Sequence, residues 1–185
     1  MNKSVKAIFA ALLVLSMVAV QAEATRIKAM SPRQVAEHSA LVVSGRVTGV
    51  TSYWNEAGTK IFTRTTVAVD ETYKGQKGQV VELIQLGGVV GNIRVNVEGA
   101  LSWVEGEEVL LFLEPYDSGR YQVTGMSLGK YSIERDPGSG EKYVTRPALE
   151  DVKLMQADGK TPAVPDNGLE KISLERFVSE VIDTQ

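Results

Sequence analysis

The pattern of apolar and polar positions between residues 41 and 75 sets up the chain. Leu41, Val43, Gly45, Val47 and Gly49 alternate with Val42, Ser44, Arg46, Thr48 and Val50. Alternation of this kind predicts a strand over about residues 40–53. Its first half is apolar on both sides, as expected of a central strand or one rolled into a barrel. Gly45 and Gly49 share a face, and glycine inside a strand marks a bulge or a sharp coil. A polar turn, Trp54-Asn55-Glu56-Ala57-Gly58-Thr59, leads to a second strand over about residues 60–73. There Val67, Val69 and Tyr73 share one face, and Arg64, Thr66, Ala68 and Asp70 the other. Two β-rich runs around a turn make a hairpin onto which later strands can pair.

The pattern continues downstream. A third strand covers residues 79–86, followed by Gly87-Gly88-Val89-Val90-Gly91, which lacks the Lys-Ser/Thr ending of a phosphate loop and reads as an inter-strand loop. Residues 92–98 alternate cleanly and predict a half-exposed strand, with Ile93, Val95 and Val97 inward and Arg94, Asn96 and Glu98 outward. Residues 99–108 form a connection. Residues 109–113, Val-Leu-Leu-Phe-Leu, are apolar on both faces and predict the most buried strand. Residues 114–120 read as a turn back, 121–125 as a short strand, and 130–135 with 141–146 as a hairpin around Asp136-Pro137-Gly138-Ser139-Gly140. That hairpin reads as an appendage.

Helical signals lie only at the two ends. Ser31, Pro32 and Gln34 supply an N-cap, a first-position proline and a capping box, with Met30 and Val35 as a hydrophobic staple. This helix runs to about Ser39. A second begins at Ser173, with Leu174, Phe177, Val178, Val181 and Ile182 on one face. Residues 147–171 are polar and carry Pro162, Pro165, Asp158-Gly159 and Asn167-Gly168, as a linker does. The expected architecture is mainly β. It is a small OB-like five-stranded barrel over residues 25–146 with an extra hairpin, a short N-terminal helix, and a C-terminal amphipathic helix (172–185) packed on the barrel.

Residues 1–24 fall outside that plan. Lys3 and Lys6 precede an apolar run over residues 7–20, and Ala22-Glu23-Ala24 is a small-x-small cleavage site, so Ala24 and Thr25 flank the expected cut. The run is shorter than the ~18 residues a span needs, and no cysteine follows it for lipid attachment. The reading is an exported protein, periplasmic or extracellular, with no stable membrane anchor after cleavage. The whole chain contains no cysteine, so about 160 mature residues must hold a core without disulfides. The formal net charge is −3, and loss of Lys3, Lys6 and Glu23 takes away a net +1, leaving −4. An acidic chain lacks the basic footprint of a nucleic-acid binder.

Candidate chemistry is sparse. His38 is the only histidine, and zinc sites gather several ligands, so neither a metal nor any other cofactor is expected. Glu105, Glu107 and Glu108 have no second carboxylate cluster placed opposite them and read as a solvated turn. No H-E-x-x-H pattern occurs, and Gly125-Met126-Ser127-Leu128-Gly129, which has the G-x-S-x-G spacing, is followed by a strand pattern rather than the helix of a nucleophile elbow, so catalysis is not expected. Tyr53 and Trp54 at the first turn suit stacking on a sugar or peptide, while Trp54 could equally fold back over the barrel end.

Several segments resemble a known family: the short helix; Ala40-Leu41-Val42-Val43-Ser44-Gly45-Arg46-Val47; Val67-Ala68-Val69-Asp70-Glu71-Thr72-Tyr73-Lys74-Gly75; and Gly106-Glu107-Glu108-Val109-Leu110-Leu111-Phe112-Leu113. Over residues 30–125 this pattern is similar to the netrin-like, OB-fold domain of the tissue inhibitors of metalloproteinases. The resemblance implies an OB fold and a protease-binding or inhibitor-like role. Those inhibitors hold the protease zinc with an N-terminal cysteine, and none is present here. The fold therefore carries over and the inhibitory residues do not. The functional expectation is a non-enzymatic exported binding module. Its partner would be a secreted protease, another envelope protein or a glycan, met through the barrel face and rim at Tyr53, Trp54, Arg64, Arg94 and Trp103. The alternatives are an exported hydrolase and an envelope assembly protein that docks through its C-terminal helix.

Overall fold

A computed structural model describes residues 26–182 apart from 77, 147, 150–152, 157 and 164–166. The expected leader and its cleavage pair, Ala24 and Thr25, lie outside the described residues. In chain order the elements are β1 (Arg26–Lys28), α1 (Pro32–His38), β2 (Leu41–Trp54), β3 (Ile61–Lys74), β4 (Val80–Leu86), β5 (Gly88–Val90) and β6 (Ile93–Val95). They continue with β7 (Glu108–Asp117), β8 (Arg120–Val123), β9 (Lys130–Arg135), β10 (Lys142–Arg146), β11 (Lys153–Met155), β12 (Leu169–Ser173) and α2 (Leu174–Val181). The fold is mainly β. One large sheet has the order β12-β10-β9-β7-β2-β3-β4-β8, and β8 also pairs with β7. Among the described residues no helix is long and apolar enough to cross a membrane.

Strands β2 and β7 lie antiparallel at the middle of this sheet, with Leu41 opposite Leu113 and Gly45 opposite Val109. Both are apolar on alternate sides, and each side feeds a separate core. Leu41, Val43, Val47, Val109, Leu111 and Leu113 pack with Val67, Val81, Leu83 and Val123. Val42, Leu110 and Phe112 pack on the other side with Val35 and Ala36 of α1, Tyr131, Ile133, Val144, and Leu174, Phe177 and Val181 of α2. Residues 109–113 are completely buried, as their uniform apolar run predicts.

Gly45 shows why β2 needs a glycine. A Cβ there would lie 2.2 Å from the Ala68 carbonyl oxygen across the β2–β3 ladder. The pairing shifts register between Ser44 and Gly45 and again between Val47 and Gly49, so both predicted bulge positions fall at irregularities.

The two helix starts form as their sequences prescribe. The Ser31 and Gln34 side chains and backbones bond reciprocally, and the Arg176 N–H donates to Ser173 Oγ. Phe177 meets Tyr131 at 4.9 Å and Phe112 at 6.4 Å between ring centroids. The apolar face of α2 is thus occupied by this core.

Five segments differ from their sequence reading. Residues 87–91 are not a plain loop: Gly88–Val90 pairs with Ile93–Val95 as a small hairpin. The backbone takes positive φ at Gly87, Gly88 and Gly91, which frees the chain to turn so tightly. The strand expected over residues 92–98 is only three residues long and pairs with β5 in a two-stranded sheet of its own, which leaves Ile93 exposed to solvent. The expected turn at 114–120 is mostly strand, since β7 runs on to Asp117 and only Ser118 and Gly119 turn. The expected linker contains β11, which pairs in parallel with β1, and the start of β12, which pairs with β10. Leu154, Met155 and Leu169 carry these segments onto the core despite their polar surroundings. The hairpin at 130–146 joins the large sheet through β7 and β9 rather than standing apart.

Phe177→Ala should lower unfolding free energy by about 3–5 kcal/mol, the usual range for truncating a buried phenylalanine. Urea denaturation of the variant beside the parent chain checks this. A change under about 1 kcal/mol would mean that α2 is only loosely docked.

Candidate functional site

A concavity lies where β4 and β8 diverge. It holds about 630 Å³ and is mostly apolar. Leu83–Leu86 of β4 form one side, and Glu114, Tyr116, Gln122 and Val123 of β7 and β8 the other. Segments around Ile27–Met30 and Val97–Trp103 close it from behind. A volume of this size with a few polar groups on apolar walls is typical of a ligand site.

Each wall is fixed by a local bond. The Gln85 side chain donates to the Leu101 carbonyl (3.1 Å) and accepts from the Leu101 N–H (2.9 Å). One amide therefore replaces a strand partner and holds the back segment against β4. Trp103 is half-buried against the core between the strands, with Lys130 Nζ 4.5 Å above its ring. Lys130 is itself pinned by the Ser102 carbonyl (2.6 Å) and Glu107 (2.7 Å). The Trp103 indole nitrogen is buried without a hydrogen-bond partner. Gln122 Nε2 donates to Glu114 Oε1 at 2.7 Å, and β7–β8 pairing places the two opposite each other.

The five residues expected to bind do not converge. Trp103 lines the groove directly. Tyr53 adjoins it, stacked at 6.4 Å on Phe62, which lines it. Trp54 is 38% exposed at the end of β2, opposite Ile61, and lies outside the groove. Arg64 faces solvent from the middle of β3, and Arg94 sits on the β5–β6 hairpin opposite Val89. Neither lines the groove. Phe62, Glu114, Tyr116 and Gln122 were not anticipated. The signal available for the last three was the alternation Glu114, Tyr116 and then Gln122, which continues the strand pattern through a segment that reads as a turn.

A second polar feature crosses the sheet at the start of β7. Lys142, Arg135, Glu108 and Arg46 stand on four adjacent strands, β10, β9, β7 and β2. Arg135 grips Glu108 with two bonds of 3.0 Å, and Arg46 also donates to the Gly106 carbonyl at 2.7 Å. Hydrogen bonding from Arg135, aided by the charges of Arg135, Arg46 and Lys142, holds the Glu108 carboxyl below the usual carboxylate range against a desolvation cost. Among the described residues no group of three His, Cys, Asp or Glu side chains is arranged to hold a metal ion. His38 stands on the exposed side of α1, its Nδ1 2.7 Å from the Gln34 carbonyl.

No protein-family model matches the chain, and no curated protein is significantly similar to it.

Because Glu108 is held ionised in the folded state, its contribution to stability is complete above the unfolded glutamate value near 4.5. It is lost as pH falls through the lower folded value. Glu108→Gln should therefore melt below the parent at neutral pH, with the gap closing as pH falls below the unfolded value and the parent's carboxyl protonates. Thermal melts across that range decide it, and a gap that stays constant would assign the effect to packing rather than charge.

Proposed function

We propose that this is a non-enzymatic exported binding protein whose ligand sits in the groove between β4 and β8. The observation that carries the reading is the roughly 630 Å³ apolar concavity bordered by the aromatic side chains of Phe62, Trp103 and Tyr116. Aromatic rings supply large contact area with little conformational loss on binding. The reading includes a small OB-like barrel made of β2, β3, β4, β8 and β7. It is supported by the antiparallel pairs β2–β3, β3–β4, β7–β8 and β2–β7, together with the parallel bridge of β4 to β8. Export rests on the charged, apolar and small-residue pattern of residues 1–24. The partner on this reading is a secreted protease, another envelope protein or a glycan. The missing cysteine removes the zinc-chelating route of the metalloproteinase inhibitors, so any protease contact would run through the groove.

The mature chain from Thr25, immobilised beside a Tyr116→Ala, Leu86→Ala double variant, tests this against envelope and secreted fractions. Both side chains are more than 40% exposed, so the variant should stay folded. The expected result is a partner retained by the parent chain and lost by the variant. A protease whose activity falls in proportion to added protein would specify the inhibitor form. A partner held equally by both would place binding elsewhere on the surface, and turnover of ester, peptide or glycan substrates by the purified chain would replace the reading with an enzyme.

A further inference from the structure

The main-chain bonding around the groove shows an interrupted ladder. At its two ends the β3–β4 pairing is fixed by the Gly87 N–H donating to Ile61 O (2.8 Å) and the Val69 N–H donating to Gln79 O (2.9 Å). The register between them is unbroken. Odd-numbered residues of β4 therefore bond to β3, and Val80, Glu82, Ile84 and Leu86 turn their N–H and C=O groups the other way. On the far wall the Thr124 N–H donates to Phe112 O (2.9 Å), so Gln122 and Thr124 face β7 while Tyr121 and Val123 face β4. The two edges meet at one register position, Leu83 with Tyr121. In parallel geometry that bridge uses groups of Glu82, Ile84 and Tyr121.

Beyond it the strands part and the groove begins. The Ile84 carbonyl and both main-chain groups of Leu86 stand on one wall, and both main-chain groups of Val123 on the other. The paired register of β4 with β8 stops at Leu83 and Tyr121, short of these groups. Two strand edges facing each other across an apolar trough present the donors and acceptors that an added strand would satisfy.

The side chains add a charge preference. Among the described residues Glu114 is the only carboxylate lining the groove, and it is half-buried. One of its oxygens accepts from Gln122, and among the described residues no cation pairs with it. Lys28 and Lys60 border the same groove but make no ion pair with it.

Resting on the binding-protein reading, we infer that the ligand is an extended peptide segment of another protein. It enters as a strand between β4 and β8, bonds to Leu86 and Val123, lays alternate apolar side chains into the trough, and sets one basic side chain against Glu114. Main-chain bonds give such a complex its affinity, and the trough and Glu114 its selectivity.

The test pans a random peptide library on the mature chain and measures the winning peptide, synthesised with capped ends, by fluorescence anisotropy. Two analogues accompany it, one N-methylated at two central amides and one with norleucine in place of its basic residue. N-methylation should weaken binding about tenfold or more, because it removes main-chain donors and leaves the side chains in place. The norleucine analogue should lose affinity for the parent chain but not for Glu114→Gln. Hydrogen exchange at the Leu86 and Val123 amides should be fast in the free protein and slow in the complex. Failure to enrich any peptide, equal binding of the N-methylated analogue, or unchanged exchange at both amides would each overturn strand addition. If the Tyr116→Ala, Leu86→Ala variant still loses its captured partner in those cases, the groove remains a binding site for another chemistry. If it does not, both readings fall together.

Discussion

Two strands that bury both their faces hold this molecule together. β2 and β7 pair along Leu41–Arg46 and Glu108–Leu113, and every side chain from Val109 to Leu113 is withdrawn from water. Neither strand can be supported from one side alone. The odd positions of β7 need the side chains of β3, β4 and β8, and the even positions need α1, α2, β9 and β10. The terminal helices are therefore required by the sheet rather than added to it. Leaving Leu110 and Phe112 open to solvent would forfeit roughly 1.5–3 kcal/mol for each side chain.

The same arrangement produces the groove. β8 is only four residues long and must serve β7 on one side and β4 on the other. It follows β7 closely through three consecutive positions, Leu113 to Pro115, and touches β4 at one. The gap on the β4 side is the consequence. Gln85 bridges part of it by clamping Leu101, which brings an irregular segment where a strand would otherwise lie.

Much of this was legible in the sequence because the signals were local. The capping box at Ser31 and Gln34, the apolar run at 109–113, the glycine irregularities of β2, the 136–140 hairpin tip and the apolar face of α2 all depend on neighbouring residues. The binding surface was less legible, since it depends on which strands fail to meet. Trp103 was identified as an aromatic in a polar connection, but its attachment to Lys130 joins residues far apart in the chain. Trp54, Arg64 and Arg94 were chosen for residue type and stand away from the groove. Glu114 and Tyr116 lie in residues 114–120, a segment with Pro115 and Asp117-Ser118-Gly119 that reads as a turn back. That proline has no N–H to give, yet its position in β7 faces past the end of β2, where no ladder donor is required.

The parallel pair β1–β11 has a consequence for how the chain acquires its structure. Arg26 is registered with Lys153 and Lys28 with Met155, so the first described strand waits on a partner made about 125 residues later. Ile27, buried at this junction, also supplies part of the groove's rear wall. A chain synthesised or threaded from its N-terminus can assemble β2, β3 and β4 from near neighbours, while β1 must stay unpaired until the last quarter arrives. Contacts of such long separation form late and slowly. The rear wall of the groove is thus a finishing piece, set only when the two ends of the protein have found each other.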